Sequence, residues 1–157
     1  MKTLIVYYSR TGNTRKLAKK LSKSLNAQVE EIIDKKKRKG FWGYILSGKQ
    51  AGKREKTEIE KIKNNPKNYD LILIGTPIWA WNICPAVRTY LNEQKDNLPD
   101  VAFFCTMGGT GDKKAFSEME KICQKEPSAK LSFTEKELKK SDQVKTKITD
   151  FIQSFKK

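Results

Sequence analysis

The sequence predicts an α/β fold, a doubly wound five-stranded parallel sheet with helices on both faces. The first observation is that short runs of aliphatic and aromatic residues alternate five times with stretches of helical periodicity. The second is that two of these runs, Thr3–Tyr8 and Tyr69–Gly75, are nearly all apolar, which indicates strands that are covered on both faces. A chain of 157 residues is expected to form one domain, residues 1–157.

The first half of the chain supplies the first two strands. From Thr14 onward the apolar residues have the spacing of a helix. Ala27–Ile33 is predicted to be a second, more polar strand at an edge of the sheet. Trp42–Lys49 is predicted to form a helix or turn packed on the body of the domain. Glu58–Asn64 is predicted to be helical and to end before the next proline.

The second half continues the alternation from the central strand. Pro85 occupies the favoured first position of a helix. Val101–Cys105 is the next predicted strand, and Asp112 is expected to cap the helix that follows it. Residues 131–133 alternate between apolar and polar, which is typical of a short outer strand. Residues 144–155 carry the apolar stripe of a closing helix.

The loop between the first strand and its helix has the features of a phosphate site. A strand, a tight polar loop and a helix start direct backbone N–H groups and the positive end of the helix dipole at one point. Ser9, Thr11 and Thr14 add hydroxyl donors, and Gly12 permits a positive φ or a close approach to the backbone. The alternative interpretation is a solvated turn with an ordinary helix cap.

Three loops with unusual composition each follow a predicted strand: residues 9–14, 76–82 and 106–112. Ligands of doubly wound sheets bind beyond the carboxyl ends of the strands, and in the strand order 2-1-3-4-5 these three strands are neighbours. The second loop carries Trp79 and Trp81, whose rings are suited to covering a flat ligand. The third loop has little side chain at Gly108 and Gly109, so its backbone can approach the edge of a ring. The convergence of the loops predicts a single ligand site.

The three loops resemble those of the flavodoxin family. Residues 8–14 resemble its FMN-phosphate loop, residues 75–79 followed by Pro85 its second flavin loop, and residues 104–111 the third loop of the branch with two adjacent glycines. The resemblance implies non-covalently bound FMN in a flavodoxin-like fold. By position it implies the cofactor-binding residues Ser9, Arg10, Thr11, Gly12, Asn13 and Thr14 for the phosphate; Thr76, Pro77, Ile78 and Trp79 for the ribityl chain and one ring face; and Thr106, Met107, Gly108 and Gly109 for the other side of the ring. Trp81 is a further cofactor-binding candidate because of its aromatic ring in the second loop.

Two features depart from the family pattern. The third loop lacks the tyrosine that stacks on the flavin in many flavodoxins that carry electrons. The net charge is +15, whereas the usual flavodoxin surface is acidic. Such a charge favours anionic partners, and the run Lys35–Lys39 is either a solvated loop or a docking patch for an acidic redox partner or a polyanion. A nucleic-acid site is disfavoured because aromatic residues are not interleaved with these cations.

The composition restricts compartment and chemistry. No apolar run approaches the length of a membrane helix, so membrane insertion is not expected, and the chain begins without a signal-peptide segment. The three cysteines lack the spacing of a zinc site or a disulfide framework, which fits a reducing cytoplasm. The absence of histidine removes the commonest general base and metal ligand, so redox chemistry requires an organic cofactor or a thiol.

Three functions remain open at this point. The first is an FMN-binding electron carrier that works with a redox partner protein. The second is a flavin or quinone reductase that takes hydride from NAD(P)H. The third is a non-redox module whose basic face binds polyanions.

Overall fold

The computed structural model describes residues 1–155 apart from the side chain of Phe41, so the last two residues of the expected domain lie outside the described part. The parallel strands and one short antiparallel strand are β1 (Thr3–Tyr7), β2 (Gln28–Glu31), β3 (Leu71–Trp79), β4 (Asn82–Ile83), β5 (Asp100–Met107) and β6 (Lys130–Thr134). The α-helices are α1 (Asn13–Leu25), α2 (Gly40–Gly52), α3 (Pro85–Gln94), α4 (Asp112–Cys123) and α5 (Ser141–Ser154). Single 3-10 turns span Pro66–Asn68, Lys95–Asn97 and Glu137–Lys139.

The parallel strands lie in the order β2-β1-β3-β5-β6. Counted without the two-residue β4, this is the predicted order 2-1-3-4-5, and the predicted fold class is confirmed. The polar second strand forms one edge of the sheet, as its composition indicated, and β6 forms the other. β4 pairs antiparallel with the end of β3 and makes a hairpin that the sequence pattern did not reveal.

Apolar side chains fill both faces of the sheet. On one face α1 and α5 pack against β1 and β5, with Leu17, Leu21 and Phe151 in the same buried cluster. On the other face α3 and α4 supply a second cluster that includes Tyr90 and Met119. The nearly all-apolar strands therefore have the two covered faces that their sequence predicted.

Two local predictions are wrong. Glu58–Asn64 is not helical, and its first residues pair with the chain just after the edge strand: Glu60 N donates to Ile33 O (2.8 Å), and Ile59 forms an antiparallel bridge with Asp34. Backbone pairing with residues 33–35, which directly follow the edge strand, outweighs the weak helical pattern. Asp112 is the first residue of α4 and not its cap; Gly111 holds the cap position with φ +118°.

The basic run Lys35–Lys39 is not uniformly solvated. Arg38 is only 3% exposed, and its Nε donates to Asp34 Oδ2 over 2.5 Å. Its Nη atoms donate to Ser47 Oγ (3.3 Å) and Gln50 Oε1 (2.7 Å), both on α2. Asp34 also accepts from the hydroxyl of Thr57 (2.9 Å). This polar cluster ties α2 to the end of the edge strand and to the extended segment after α2.

The three cysteines are free and buried. Burial raises the pKa of the Cys84 thiol from 9.0 to about 11. Burial likewise raises the pKa of Cys105 and of Cys123. The thiols are therefore neutral near pH 7, which disfavours thiol-based redox chemistry.

We expect Arg38→Ala to lower the free energy of unfolding by about 3–5 kcal/mol, because it leaves the buried Asp34 carboxylate without its cation. Denaturant unfolding followed by circular dichroism measures this change. Lys39→Ala is the matched control: it removes an exposed cation from the same run and should change the stability by less than about 0.5 kcal/mol. Equal effects of the two variants would contradict a structural role for Arg38.

The native protein at pH 8 is expected not to react with Ellman's reagent, whereas the protein in guanidinium chloride should release three equivalents. A fast-reacting equivalent in the folded protein at pH 8 would show that one thiol is accessible and activated.

Since the pKa of Cys84 is raised in the folded state, the thiol of the unfolded chain loses its proton first as the pH rises. The free energy of unfolding should therefore fall as the pH rises from 9 towards 11.

Candidate functional site

The three sequence-predicted loops meet at one edge of the sheet. β1, β3 and β5 are adjacent and parallel, with Tyr7 opposite Gly75 and Pro77 opposite Thr106. Each loop leaves the carboxyl end of its strand, which is where doubly wound sheets bind ligands. The structure thus brings the loops together as the sequence analysis expected.

The first loop presents an uncapped helix start. Gly12 precedes α1 with φ +100°, a conformation that suits glycine. The Ser9 hydroxyl accepts from Gly12 N (3.1 Å) and so holds the turn. Among the described residues no side chain caps α1, and the first turn of α1 has no acidic residue. The first N–H groups of a helix lack intrahelical acceptors, so this end of α1 is suited to an anion.

A buried hydrogen bond joins the first loop to the third. The hydroxyls of Thr14 and Thr106 lie 2.8 Å apart, and both residues are buried. In addition, Tyr8 N donates to Gly75 O (3.2 Å), which fixes the start of the first loop against β3. The positions of the loops therefore depend on one another.

The second loop is a hairpin that separates its two tryptophans. β3 continues to Trp79, and Ala80 and Trp81 make the turn with φ of +48° and +61°. Trp79 is half-buried, with its ring edge-on to that of Tyr8 at 5.6 Å. Trp81 is 63% exposed, and its Nε1 donates to Thr110 Oγ1 in the third loop (3.2 Å). Only Trp79 lies in the cleft between the loops.

The third loop leaves space beside its backbone. Gly108 and Gly109 are exposed, and a Cβ added to either would meet no atom within 4 Å. Gly111 differs, because a Cβ there would lie 2.9 Å from Ile78 Cγ2 and 3.0 Å from Trp81 Cα. Gly111 therefore allows the third loop to pack against the hairpin, while Gly108 and Gly109 stay open to a ligand.

A cleft of about 170 Å³ lies between the three loops. Ten of the sequence-predicted residues line it: Arg10, Thr11, Asn13, Thr14, Pro77, Ile78, Trp79, Thr106, Met107 and Gly108. The other five do not line it: Ser9, Gly12, Thr76, Trp81 and Gly109. Ser9 and Gly12 shape the first turn, and the Thr76 hydroxyl accepts from Cys84 N (3.2 Å) within the hairpin.

Two residues of the cleft were missed by the sequence analysis. Tyr44 comes from α2, and Glu135 follows β6. Glu135 could have been found, because it directly follows a predicted strand and so lies at the same sheet edge as the three loops. Tyr44 gave no such signal, since only the tertiary packing of α2 brings it to the cleft.

Arg10 lies between the aromatic residues of the cleft. Its guanidinium carbon is 5.2 Å from the centre of the Tyr44 ring and 6.0 Å from that of Trp79. Its Nε is buried and has no hydrogen-bond acceptor among the described residues. Arg10 also lines a neighbouring cleft of about 530 Å³ that is bordered by the Lys35–Lys39 run. The arginine side chain thus separates two openings, and a planar ligand between Tyr44 and Trp79 would displace it.

Within residues 1–155 no helix has the length and apolar character needed to cross a membrane. The same part of the chain contains no cluster of histidine, cysteine and carboxylate side chains able to hold a metal ion.

Comparison with known proteins identifies the family. The family model described as flavodoxin matches residues 2–155. No protein of curated function matches the sequence. A flavoprotein from Lactobacillus acidophilus NCFM, solved in complex with FMN, is similar: the two share 28% identity and a TM-score of 0.72 over 83% of this chain and 92% of that one.

More distant structures share the fold. A WrbA-like flavodoxin from Agrobacterium tumefaciens is 12% identical, with a TM-score of 0.62 over 98% of this chain and 94% of that one. The Trp repressor binding protein from Bacillus subtilis is 10% identical, with a TM-score of 0.60 over 96% and 98%. The family match and the FMN complex of the Lactobacillus protein support FMN as the predicted cofactor. Since the family model covers residues 2–155, this chain belongs to the flavodoxin family.

Proposed function

We propose that this chain, as one flavodoxin domain, binds FMN in the cleft between its three loops and carries electrons to a partner protein. The observation that carries the proposal is that an uncapped helix start, a half-buried tryptophan and the exposed backbone of Gly108 meet at one cleft, with Gly109 directly beside it. Each suits a different part of FMN: the phosphate, the ring face and the ring edge.

The residues of the first loop hold the phosphate. Thr11, Asn13 and Thr14 line the cleft next to the uncapped start of α1, where N–H groups and the helix dipole favour an anion. The first turn of α1 carries Arg15 and Lys16. Their positive charges repel the positive end of the helix dipole, and a bound anion would offset this repulsion. Arg15 pairs with Glu31 over 2.6 Å, which leaves Lys16 as the nearby exposed cation.

The ring lies between Trp79 and Tyr44. The guanidinium of Arg10 occupies this space, and its departure enlarges a cleft that is otherwise below the usual size of a cofactor site. Tyr44 supplies the aromatic partner that the third loop lacks. Gly108 and Gly109 offer backbone groups to the ring edge, and the Glu135 carboxylate accepts hydrogen bonds from ribityl hydroxyls. Thr76, which is fully buried, positions the hairpin and does not contact the cofactor.

When bound, FMN supplies one- and two-electron redox chemistry. The protein binds and orients it, keeps water from the ring faces between Trp79 and Tyr44, and leaves the ring edge at Gly108 and Gly109 exposed to a partner. The net charge of +15 favours an acidic redox partner by electrostatic steering. We place the protein in the cytoplasm, because its three buried thiols are free.

A second candidate is a flavin or quinone reductase, which the exposed Gly108–Gly109 side favours because a nicotinamide could reach the ring there.

We expect purified protein to take up FMN with quenched flavin fluorescence. We also expect it to oxidise NADH or NADPH no faster than free FMN does unless a reductase is added. Steady NAD(P)H oxidation by the protein alone would identify a reductase. The absence of flavin uptake would reject both redox functions.

The contacts to FMN are tested by comparing FMN with riboflavin, which lacks the phosphate. Thr11→Ala is expected to weaken FMN binding about tenfold, which is about 1.4 kcal/mol, and to leave riboflavin binding unchanged. Trp79→Ala and Tyr44→Ala are expected to weaken the binding of both flavins and to restore part of their fluorescence, because they remove ring contacts.

The matched control is Ile45→Ala, which changes the same helix next to Tyr44 but does not alter the lining of the cleft. It should bind both flavins like the parent protein. Loss of riboflavin binding in Thr11→Ala would show that the first loop does not act through the phosphate. Unchanged fluorescence in both aromatic variants would place the ring elsewhere.

A further inference from the structure

Helix α2 packs on the protein through its small and polar side chains and exposes large apolar ones to solvent. Among the side chains of α2 that the structure describes, the buried positions are small or polar: Gly43, Ser47, Gln50 and Ala51. The described large apolar side chains face outward: Trp42 is 79% exposed, Tyr44 62%, Ile45 44% and Leu46 38%. A surface helix normally buries its apolar stripe and exposes its polar one. Exposed apolar side chains that form a contiguous group mark an interaction surface.

The reversed orientation is fixed by buried contacts beneath the helix. Arg38 donates hydrogen bonds to Ser47 and Gln50, so the polar face of α2 satisfies a buried cation. Gly43 lies so close to the Arg38 backbone that a Cβ there would approach its carbonyl carbon to 2.4 Å. Turning the helix to bury its apolar side chains would break these hydrogen bonds and create that clash. The apolar side chains are therefore held outward.

Lysines surround this apolar face. Lys35, Lys36, Lys37 and Lys39 are exposed and directly precede α2. On the helix itself Lys49 follows Trp42 by seven residues and Leu46 by three, which places these side chains on one stripe. Among the described residues Lys35 pairs with Glu58 over 3.5 Å, and both groups are exposed. The face therefore combines apolar side chains with several exposed lysines.

This combination matches a lipid surface better than a protein partner. Lysine is depleted at protein interfaces, where arginine is preferred. Tryptophan and tyrosine are enriched at the level of lipid headgroups, and clusters of four or more cations beside an amphipathic helix bind anionic lipids. We propose that the α2 face, defined as Lys35–Lys37, Lys39 and the outward side chains of Trp42, Ile45, Leu46 and Lys49, docks on the surface of an anionic membrane.

The contact is peripheral. α2 has 13 residues, too few to cross a bilayer, so it lies along the surface with its apolar side chains at the headgroup boundary. Tyr44, at the border of this face, also lines the candidate cofactor cleft. Docking would thus turn the mouth of that cleft towards the lipid. The inference rests on α2 and its lysines and does not require that FMN is bound.

Vesicle co-sedimentation of the full chain, with FMN added, tests the proposal. The vesicles are phosphatidylcholine alone or phosphatidylcholine with a third of the lipid replaced by phosphatidylserine. We expect binding to the anionic vesicles and none to the neutral ones. Replacing Lys35, Lys36 and Lys37 with glutamine is expected to weaken binding about a hundredfold. The double variant Ile45→Ser and Leu46→Ser should weaken it about tenfold.

The matched control replaces Lys19, Lys20 and Lys23, exposed lysines of α1, with glutamine and so removes the same charge elsewhere. It should bind anionic vesicles within twofold of the parent. Circular dichroism and denaturant unfolding verify that each variant is folded. Three results would each overturn the proposal: no binding to anionic vesicles, equal loss in the control, or unchanged binding by the serine variant. The first of these would leave an acidic protein as the occupant of the face. The FMN titration above is a separate readout, so failure of lipid binding leaves the proposed cofactor site untouched.

Discussion

The buried ion pair between Asp34 and Arg38 fixes the part of the molecule that is least like a plain α/β sandwich. Asp34 joins the end of the edge strand to the segment after α2 through Thr57, and Arg38 joins it to α2 through Ser47 and Gln50. The guanidinium of Arg38 also lies 5.6 Å from the centre of the Trp79 ring. A buried charge pair of this kind is retained only when its hydrogen bonds are satisfied. One polar cluster thus holds α2 in place and lies against the Trp79 ring of the candidate site.

The candidate site depends equally on the sheet. Parallel pairing of β1, β3 and β5 brings three carboxyl ends to one edge, and the Thr14–Thr106 hydrogen bond couples two of the loops. Because the three loops differ in composition, each offers a different kind of binding group. The first provides unpaired helix N–H groups, the second an aromatic ring held by Tyr8, and the third a backbone without side chains. The same edge therefore offers an anion site and a flat apolar surface side by side.

Charge links the candidate site to the outside of the molecule. Arg10 lies between the cofactor cleft and the larger opening beside the Lys35–Lys39 run, and Tyr44 lies between that cleft and the outward face of α2. The basic run therefore has two roles in one short segment. Arg38 is a structural cation inside the protein, while its lysine neighbours are exposed and available to anionic partners. A count of net charge cannot separate these roles, because it ignores burial.

The alternation of strands and helices, the covered central strands and the three loops could all be predicted from the sequence, because they depend on local patterns of apolar residues and glycine. The sequence also indicated the family, and ten of its fifteen candidate residues line the cleft. The three-dimensional structure was needed to show that Glu58–Asn64 pairs with residues 33–35 instead of forming a helix, that Arg38 is buried, and that Tyr44 and Glu135 reach the cleft. Each of these depends on contacts between residues remote in the chain, which no local pattern specifies. The burial of the polar face of α2 also depends on a contact remote in the chain, because the buried Arg38 guanidinium donates hydrogen bonds to Ser47 and Gln50 on that face.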